Sequence, residues 1–368
     1  MYEYGHGGNA AFEDGKAGVI DLSANINPLG MPEGVKEAII NEIAGCGRYP
    51  DNSSGSLRLK IAEYENVRPD NIFCGNGASD IIFRLPRAVR AKRVMIAAPT
   101  FADYERSALS AGSEVIRYKL SDSNGFILDG DFITAVQREK PDLVSVCNPN
   151  NPTGVLVKPE LIGALLYCCR EIGSFVMIDE CFLDFTEWAG GYTSKNYLQK
   201  YNNLVILKAF TKIFGLPGIR LGYCLCADEG LAQSLRFHGP DWPVSNLAQA
   251  AGIAALIDAD SFVKQTVDYV TAERRTLEKE LFRLGFRTFG SKANYLFIQN
   301  PYPVDLRAEL DKKGVRIRSC GNFHGLNASY YRIAVSTSEN NAALLAAITE
   351  VVKYMNRAEG FHQTTERI

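Results

Sequence analysis

The sequence predicts an α/β fold, with a large domain built on a mainly parallel sheet and a smaller α+β domain after it. Three observations carry that reading. Between about residues 70 and 230, short apolar runs alternate with longer amphipathic ones, the order expected of strands separated by crossover helices. The short runs are near-continuously apolar, as strands covered on both faces must be. After Asp241-Trp242-Pro243 the texture changes to a long helical stretch followed by isolated strands.

In chain order, "NIFCG", "RVMIAAP", "SEVIRYKL", "DLVSVCNP", "SFVMIDE", "NLVILK" and "LGYCLCA" read as strands, rich in consecutive Val, Ile and Leu. "SDIIFRLPRAVRA" and "PELIGALLYCCREIG" carry the helical period between them. Beyond residue 243, one long helical pattern runs from Leu247 to Gly285. The strands "NYLFIQ", "GVRIRSC" and "YYRIAVS" follow, then a closing helix "ENNAALLAAITEVVKYM". The last twelve residues are polar and are expected to fray. The division expected is an N-terminal arm over 1–28, a large domain over 29–240, and a connecting helix with the small domain over 241–368.

Composition narrows the function class. The 368 residues carry a net charge of −2 without a Lys/Arg run, so neither nucleic acid nor an anionic membrane is an expected partner. Nine cysteines, an odd number lying mostly in apolar runs, read as reduced core thiols. With no CxxC pair and four histidines, no metal site is expected. There is no signal-peptide pattern at the N-terminus and no apolar run of membrane-spanning length, so the expected location is cytoplasmic.

Ligands of open α/β sheets sit at the carboxyl ends of the strands. The polar groups that follow the apolar runs are the Gly77-Ala78-Ser79 turn of "GNGASD", then Phe101, Asn151, Asp179, Thr211-Lys212 and Arg220. "GNGASD" opens a helix after a strand and suits an anion, although it lacks the third glycine of a dinucleotide fingerprint. Lys212 is flanked by apolar residues, and desolvation there is expected to lower its pKa and make the amine nucleophilic. A desolvated lysine, a strand-end acid, an anion-ready helix N-terminus, an aromatic and an arginine together suit pyridoxal 5′-phosphate.

"NPNNPTG", "MIDECF" and "TKIFGLPGIRLGY" resemble the class I and II aminotransferases of the fold-type I pyridoxal-phosphate superfamily, over nearly the whole chain. The resemblance implies that Lys212 bonds the cofactor's aldehyde, Asp179 partners its pyridine nitrogen, Asn151 its ring hydroxyl, and Phe101 stacks on the ring. It implies that Gly77, Ala78, Ser79, Thr211 and Arg220 hold the phosphate, with Tyr49 reaching in from a second subunit, so a homodimer is expected. The prolines would stiffen the turn that presents Asn151, and the other asparagines would satisfy turn backbone. Two positions depart from the family pattern: Ala209, where relatives commonly carry a hydroxyl, and Phe182, where many carry a tyrosine.

The ends of the chain discriminate further. "HGGN", "DLSANINPLGMP", "RYPD" and "IRSCGNFHGLNASYYRIAV" resemble the L-threonine O-3-phosphate decarboxylase family of cobalamin biosynthesis. Histidinol-phosphate aminotransferases share the central motifs and "RYPD" and stand as the alternative. The resemblance implies an amino-acid phosphate as substrate, its two anionic groups held by His6, Asn25, Asn151, Arg318 and Arg332. Asn27, in the same turn as Asn25, is expected to offer its amide to those anions.

Overall fold

The computed structural model describes residues 7–8 and 18–365, with side chains up to residue 355. A two-residue strand, β1 (Ile20–Asp21), precedes the large layer. There β2 (Ile72–Asn76), β3 (Arg93–Ala98), β4 (Glu114–Lys119), β5 (Leu143–Cys147), β6 (Phe175–Asp179), β7 (Leu204–Ala209) and β8 (Leu221–Cys226) form one sheet in the order β2-β8-β7-β6-β5-β3-β4. Strands β4, β3, β5, β6 and β7 run parallel. β8 runs antiparallel to both its neighbours. The reason is length. Only residues 210–220 join β7 to β8, shorter than a parallel crossover needs.

Every residue of β5, β7 and β8 is buried, which accounts for their unbroken apolar runs. β4 lies at the edge and ends in exposed Glu114 and Lys119, charges that discourage pairing with another sheet. The chain leaves β3 toward β4 on one side, and toward β5 and beyond on the other. The strand order therefore reverses between β3 and β5, and a crevice opens beyond their carboxyl ends.

The smaller layer contains β9 (Arg287–Thr288), β10 (Tyr295–Gln299), β11 (Val315–Arg316), β12 (Arg318–Ser319) and β13 (Tyr330–Ala334). β12-β13-β10-β9 form an antiparallel sheet, while β11 pairs with β1 in parallel. "GVRIRSC" is thus two strands broken at Ile317, because its halves bond to different partners. The long helical stretch is likewise two helices, Asn246–Ala255 and Ala259–Arg283, separated around Asp258. The closing helix Ser338–Thr365 continues into the polar tail that was expected to fray. The two layers meet through Phe126, whose ring contacts Phe289, Phe297 and Tyr330 edge-on at 5.1, 5.5 and 6.0 Å.

Eight of the nine cysteines are buried and Cys46 is exposed. Among the described residues no helix is long and apolar enough to cross a membrane, and no group of His, Cys, Asp or Glu is placed to hold a metal.

Candidate active site

A cavity of about 360 Å³ lies at the carboxyl ends of β3, β5, β6 and β7, under the β12–β13 hairpin. Asn25, Ala78, Ser79, Phe101, Asn151 and Asp179 line it, with Thr211, Lys212, Arg220, Arg318 and Arg332 completing the wall.

Asp179 ends β6 and is 5% exposed. Its carboxylate accepts from the Tyr104 hydroxyl at 2.5 Å and from the backbone N–H of Cys181 at 2.9 Å. Burial raises its pKa, while those bonds and the Lys212 charge pull it down. Lys212 lies in the single helical turn Phe210–Ile213 that follows β7. Its amine is desolvated and faces the Arg332 and Arg220 charges. These effects outweigh Cys181 and Asp179 and lower its pKa to about 8. The Phe182 ring centroid is 5.8 Å from Nζ.

The floor of the cavity is an anion cradle. Helix Ala78–Ala88 starts behind Gly77, whose φ of 78° belongs to the left-handed region. A Cβ on Gly77 would stand 2.7 Å from Arg220 Nη2, and one on Gly222 would stand 2.4 Å from the backbone nitrogen of Ala78. Only glycines let the guanidinium and the helix N-terminus come this close. The first N–H groups of a helix lack intrahelical acceptors and carry partial positive charge, so helix end and arginine together favour a phosphate. Thr211 adds a hydroxyl to the wall; that of Ser79 donates to Asp103 at 3.0 Å.

The Asn148–Gly154 turn divides its three amides between structure and site. Asn148 Oδ1 accepts from the N–H of Val157 at 2.9 Å, and Asn150 Nδ2 donates to the Pro99 carbonyl at 3.0 Å. Asn151 faces the cavity, and its Oδ1 accepts from Arg332 Nη1 at 2.5 Å. That bond commits the oxygen and leaves Nδ2 as the group offered to a ligand. Arg332 also donates to the Ser23 carbonyl at 2.8 Å, and with the Asn25 amide turned so that its oxygen faces the guanidinium, Nε and Nη1 donate to it at 3.2 and 3.3 Å. Arg318 stands directly across the strand pair from Arg332 and donates to Asn322 Oδ1 at 3.0 Å.

Other expected residues stand elsewhere. Asn27 is no anion donor, since its Nδ2 is spent on the Ile213 carbonyl (2.6 Å) and Thr266 Oγ1 (2.8 Å). Tyr49 is 77% exposed, away from its own chain's cavity, and stacks on Trp242 at 4.5 Å. His6 lies outside the described residues, although Gly7 reaches the cavity wall. At the departures from the family pattern, Phe182 packs edge-on to Tyr295 at 5.1 Å and Ala209 presents a methyl group to the cavity.

Sequence reasoning missed Tyr104, Glu105 and His324. Tyr104 was findable, because three residues after Phe101 in "FADYE" it falls on the same helical face. A carboxylate, a low-pKa amine, an amide donor, an aromatic wall and a glycine-lined anion cradle fit pyridoxal 5′-phosphate, and the volume suits a small cofactor with substrate.

The comparisons agree with that donor set. The family model described as Aminotransferase class I and II matches residues 17–348. The threonine-phosphate decarboxylase of Salmonella typhimurium is 32% identical, over 96% of this chain and 98% of its own. A histidinol-phosphate aminotransferase of Caldanaerobacter subterraneus is also 32% identical, over 90% of this chain and 92% of its own. The solved histidinol-phosphate aminotransferase of Clostridium acetobutylicum superposes with a TM-score of 0.84 at 31% identity, over 91% of this chain and all of that one.

Proposed function

The chain belongs to the class I and II aminotransferase family, whose cofactor is pyridoxal 5′-phosphate, and on that premise we propose that it decarboxylates L-threonine O-3-phosphate. The products are carbon dioxide and (R)-1-amino-2-propanol O-phosphate, a step of cobalamin biosynthesis. One observation carries the reading. Arg318 and Arg332 are register partners on adjacent antiparallel strands, and both face the cavity. Like charges directly opposite each other destabilise a sheet, so the pair makes sense as a site for a ligand with more than one anionic group. A substrate carrying both a carboxylate and a phosphate meets that description.

The bound cofactor supplies an electron sink for the pair released when a bond to the substrate's α-carbon breaks. The protein side chains do the rest. Lys212 would carry the cofactor. Asp179, held by Tyr104 and Cys181, would set a negative charge against its pyridine nitrogen, and Asn151 would donate from Nδ2. Phe101 would pack against its ring. Gly77, Ala78, Ser79, Thr211 and Arg220 would hold its phosphate. Arg318 and Arg332, with Asn25 bracing the latter, would hold the substrate's anions, and His6 is proposed as a further donor to them. How these groups orient the carboxylate decides whether carbon dioxide or a proton is lost. Lys212, released from the cofactor and in its protonated ammonium form, would hold the proton that replaces the lost carboxyl group on the α-carbon, which balances the reaction.

A histidinol-phosphate aminotransferase is the second reading, supported by relatives of equal identity over a similar span. Its amino donor has a phosphate and no carboxylate, while its acceptor 2-oxoglutarate carries two carboxylates, so the arginine pair accommodates this reading as well. Product analysis separates the two. The decarboxylase reading expects carbon dioxide from threonine phosphate. Brisk transamination of histidinol phosphate with 2-oxoglutarate, and no carbon dioxide from threonine phosphate, replaces it with the second.

A further inference from the structure

We propose that Glu105 and His324 form a latch that holds the loop between β12 and β13 over the cavity, which makes His324 a positioning residue for Arg318. The functional half of this inference rests on Arg318 binding the substrate's anion.

Glu105 belongs to the large layer, in the first turn of helix Ala102–Ser110 that begins after Phe101. It is 3% exposed and lines the cavity. A bare carboxylate in that wall would repel an anionic substrate. Here its charge is met on both oxygens: Arg117 of β4 donates from Nη2 to Oε1 at 2.5 Å and from Nε to Oε2 at 3.0 Å. His324 Nε2 stands 3.1 Å from the same Oε2. Burial pushes the Glu105 pKa up, yet the Arg117 and His324 contacts outweigh it and hold the group below its ordinary value. The acid is therefore an ionised anchor, pinned to the sheet by Arg117.

His324 comes from the opposite layer. Its loop is knit to itself, with Cys320 N–H donating to the Tyr330 carbonyl, Phe323 N–H to Cys320 and Leu326 N–H to Phe323. At its neck a Cβ on Gly321 would stand 3.2 Å from the Cα of Ala328 across the loop, so the two sides are in close contact. A loop bonded in this way moves as one body. Two residues before His324, Asn322 accepts from Arg318 Nη2, and the Arg318 guanidinium lies 5.6 Å from the Phe323 ring centroid. The chain of contact thus runs from the anchored Glu105 through His324 and its loop to Asn322 and Arg318. Removing the imidazole releases the loop from Glu105, and Arg318 then loses its fixed position over the cavity.

The test uses the holoenzyme with His324→Ala, His324→Gln and Glu105→Gln. Amide hydrogen exchange over residues 320–329 reads the latch without any substrate. His324→Ala is expected to exchange about tenfold faster there, with central-sheet peptides unchanged. His324→Gln, whose side-chain amide can donate to Glu105, is expected to recover most of the protection. Glu105→Gln, which keeps the shape and removes the charge, should fall between. Calorimetric titration with threonine phosphate reads the consequence: about tenfold weaker binding and a raised KM in His324→Ala, both largely restored in His324→Gln. Equal loop exchange in wild type and His324→Ala overturns the latch. Changed exchange in a protein that binds no threonine phosphate upholds the latch and counts against the substrate assignment instead.

Discussion

Lys212 sits with its amine among two guanidinium groups, and that setting governs when it reacts. With a pKa of about 8, roughly one amine in ten is neutral at pH 7, against about one in three thousand for an ordinary lysine near 10.5. Capture of pyridoxal 5′-phosphate by the apoprotein should therefore accelerate with rising pH, with a midpoint around pH 8 and a plateau above about pH 9. A midpoint near 10, followed by absorbance, would show that the amine is not desolvated. Lys212→Ala should leave no pyridoxyl group on the chain after borohydride treatment. Asp179→Asn keeps volume and removes charge, so turnover should fall by about 10³-fold with a smaller loss of cofactor affinity. Tyr104→Phe leaves the carboxylate its Cys181 bond and should cost about 1.5–3 kcal/mol, the scale of one hydrogen bond to a charged group. Near-normal turnover in Asp179→Asn would remove Asp179 from the chemistry. Lys212, Asp179 and Asn151 were legible in the sequence because each is announced by the apolar strand before it. Tyr104 was not tied to Asp179, because their bond joins residues 75 apart and depends on how β3 and β6 are spaced.

At the scale of elements, the β12–β13 pair sets two like charges opposite each other at the cavity. Its two arginines should answer substitution in opposite ways. Arg318 is half-buried, and its loss relieves repulsion from Arg332. Arg318→Ala should keep or slightly raise the thermal midpoint while weakening threonine phosphate binding by about 2–4 kcal/mol. Arg332 is buried and bonded to Ser23, Asn25 and Asn151, so Arg332→Ala should lose both binding and a few degrees of stability. Equal destabilisation by the two variants would mean that Arg318 is structural. The strands of the large sheet were readable as elements because burial on both faces writes itself as an apolar run. The break at Ile317 and the antiparallel course of β8 were not, since partner choice and connection length decide them and neither leaves a local pattern. Asn27 was misread for the same reason, its partner Thr266 lying 239 residues away.

For the whole molecule, the α/β layering and a cavity at the strand ends were legible in the sequence, and the expected contact between two copies rests on the exposed surface. Tyr49 is the clearest case. A residue serving the cofactor's phosphate in a second copy must stand outside its own cavity, on a face another chain can cover. The segment bearing Tyr49 is stitched to the one bearing Trp242: Asn246 donates to the carbonyls of Gly45 and Arg48, and the Trp242 N–H donates to Asn52. Beside it, helix Val35–Glu42 packs on helix Asn246–Ala255, and Ile43 and Ile257 at their ends are 58% and 67% exposed. Exposed isoleucines on that helix pair, together with the exposed stacked aromatic pair, suit contact with a second copy. The chain is therefore expected to sediment as a dimer. Ile43→Glu should shift it toward monomer and weaken cofactor retention with it. Tyr49→Phe should leave the dimer intact and weaken cofactor affinity by about 1.5–3 kcal/mol, the scale of one hydrogen bond to a charged group. The two variants separate assembly from contact, because only the first changes the sedimentation coefficient. A wild-type monomer that holds its cofactor at full affinity would show instead that each cavity is complete within one chain.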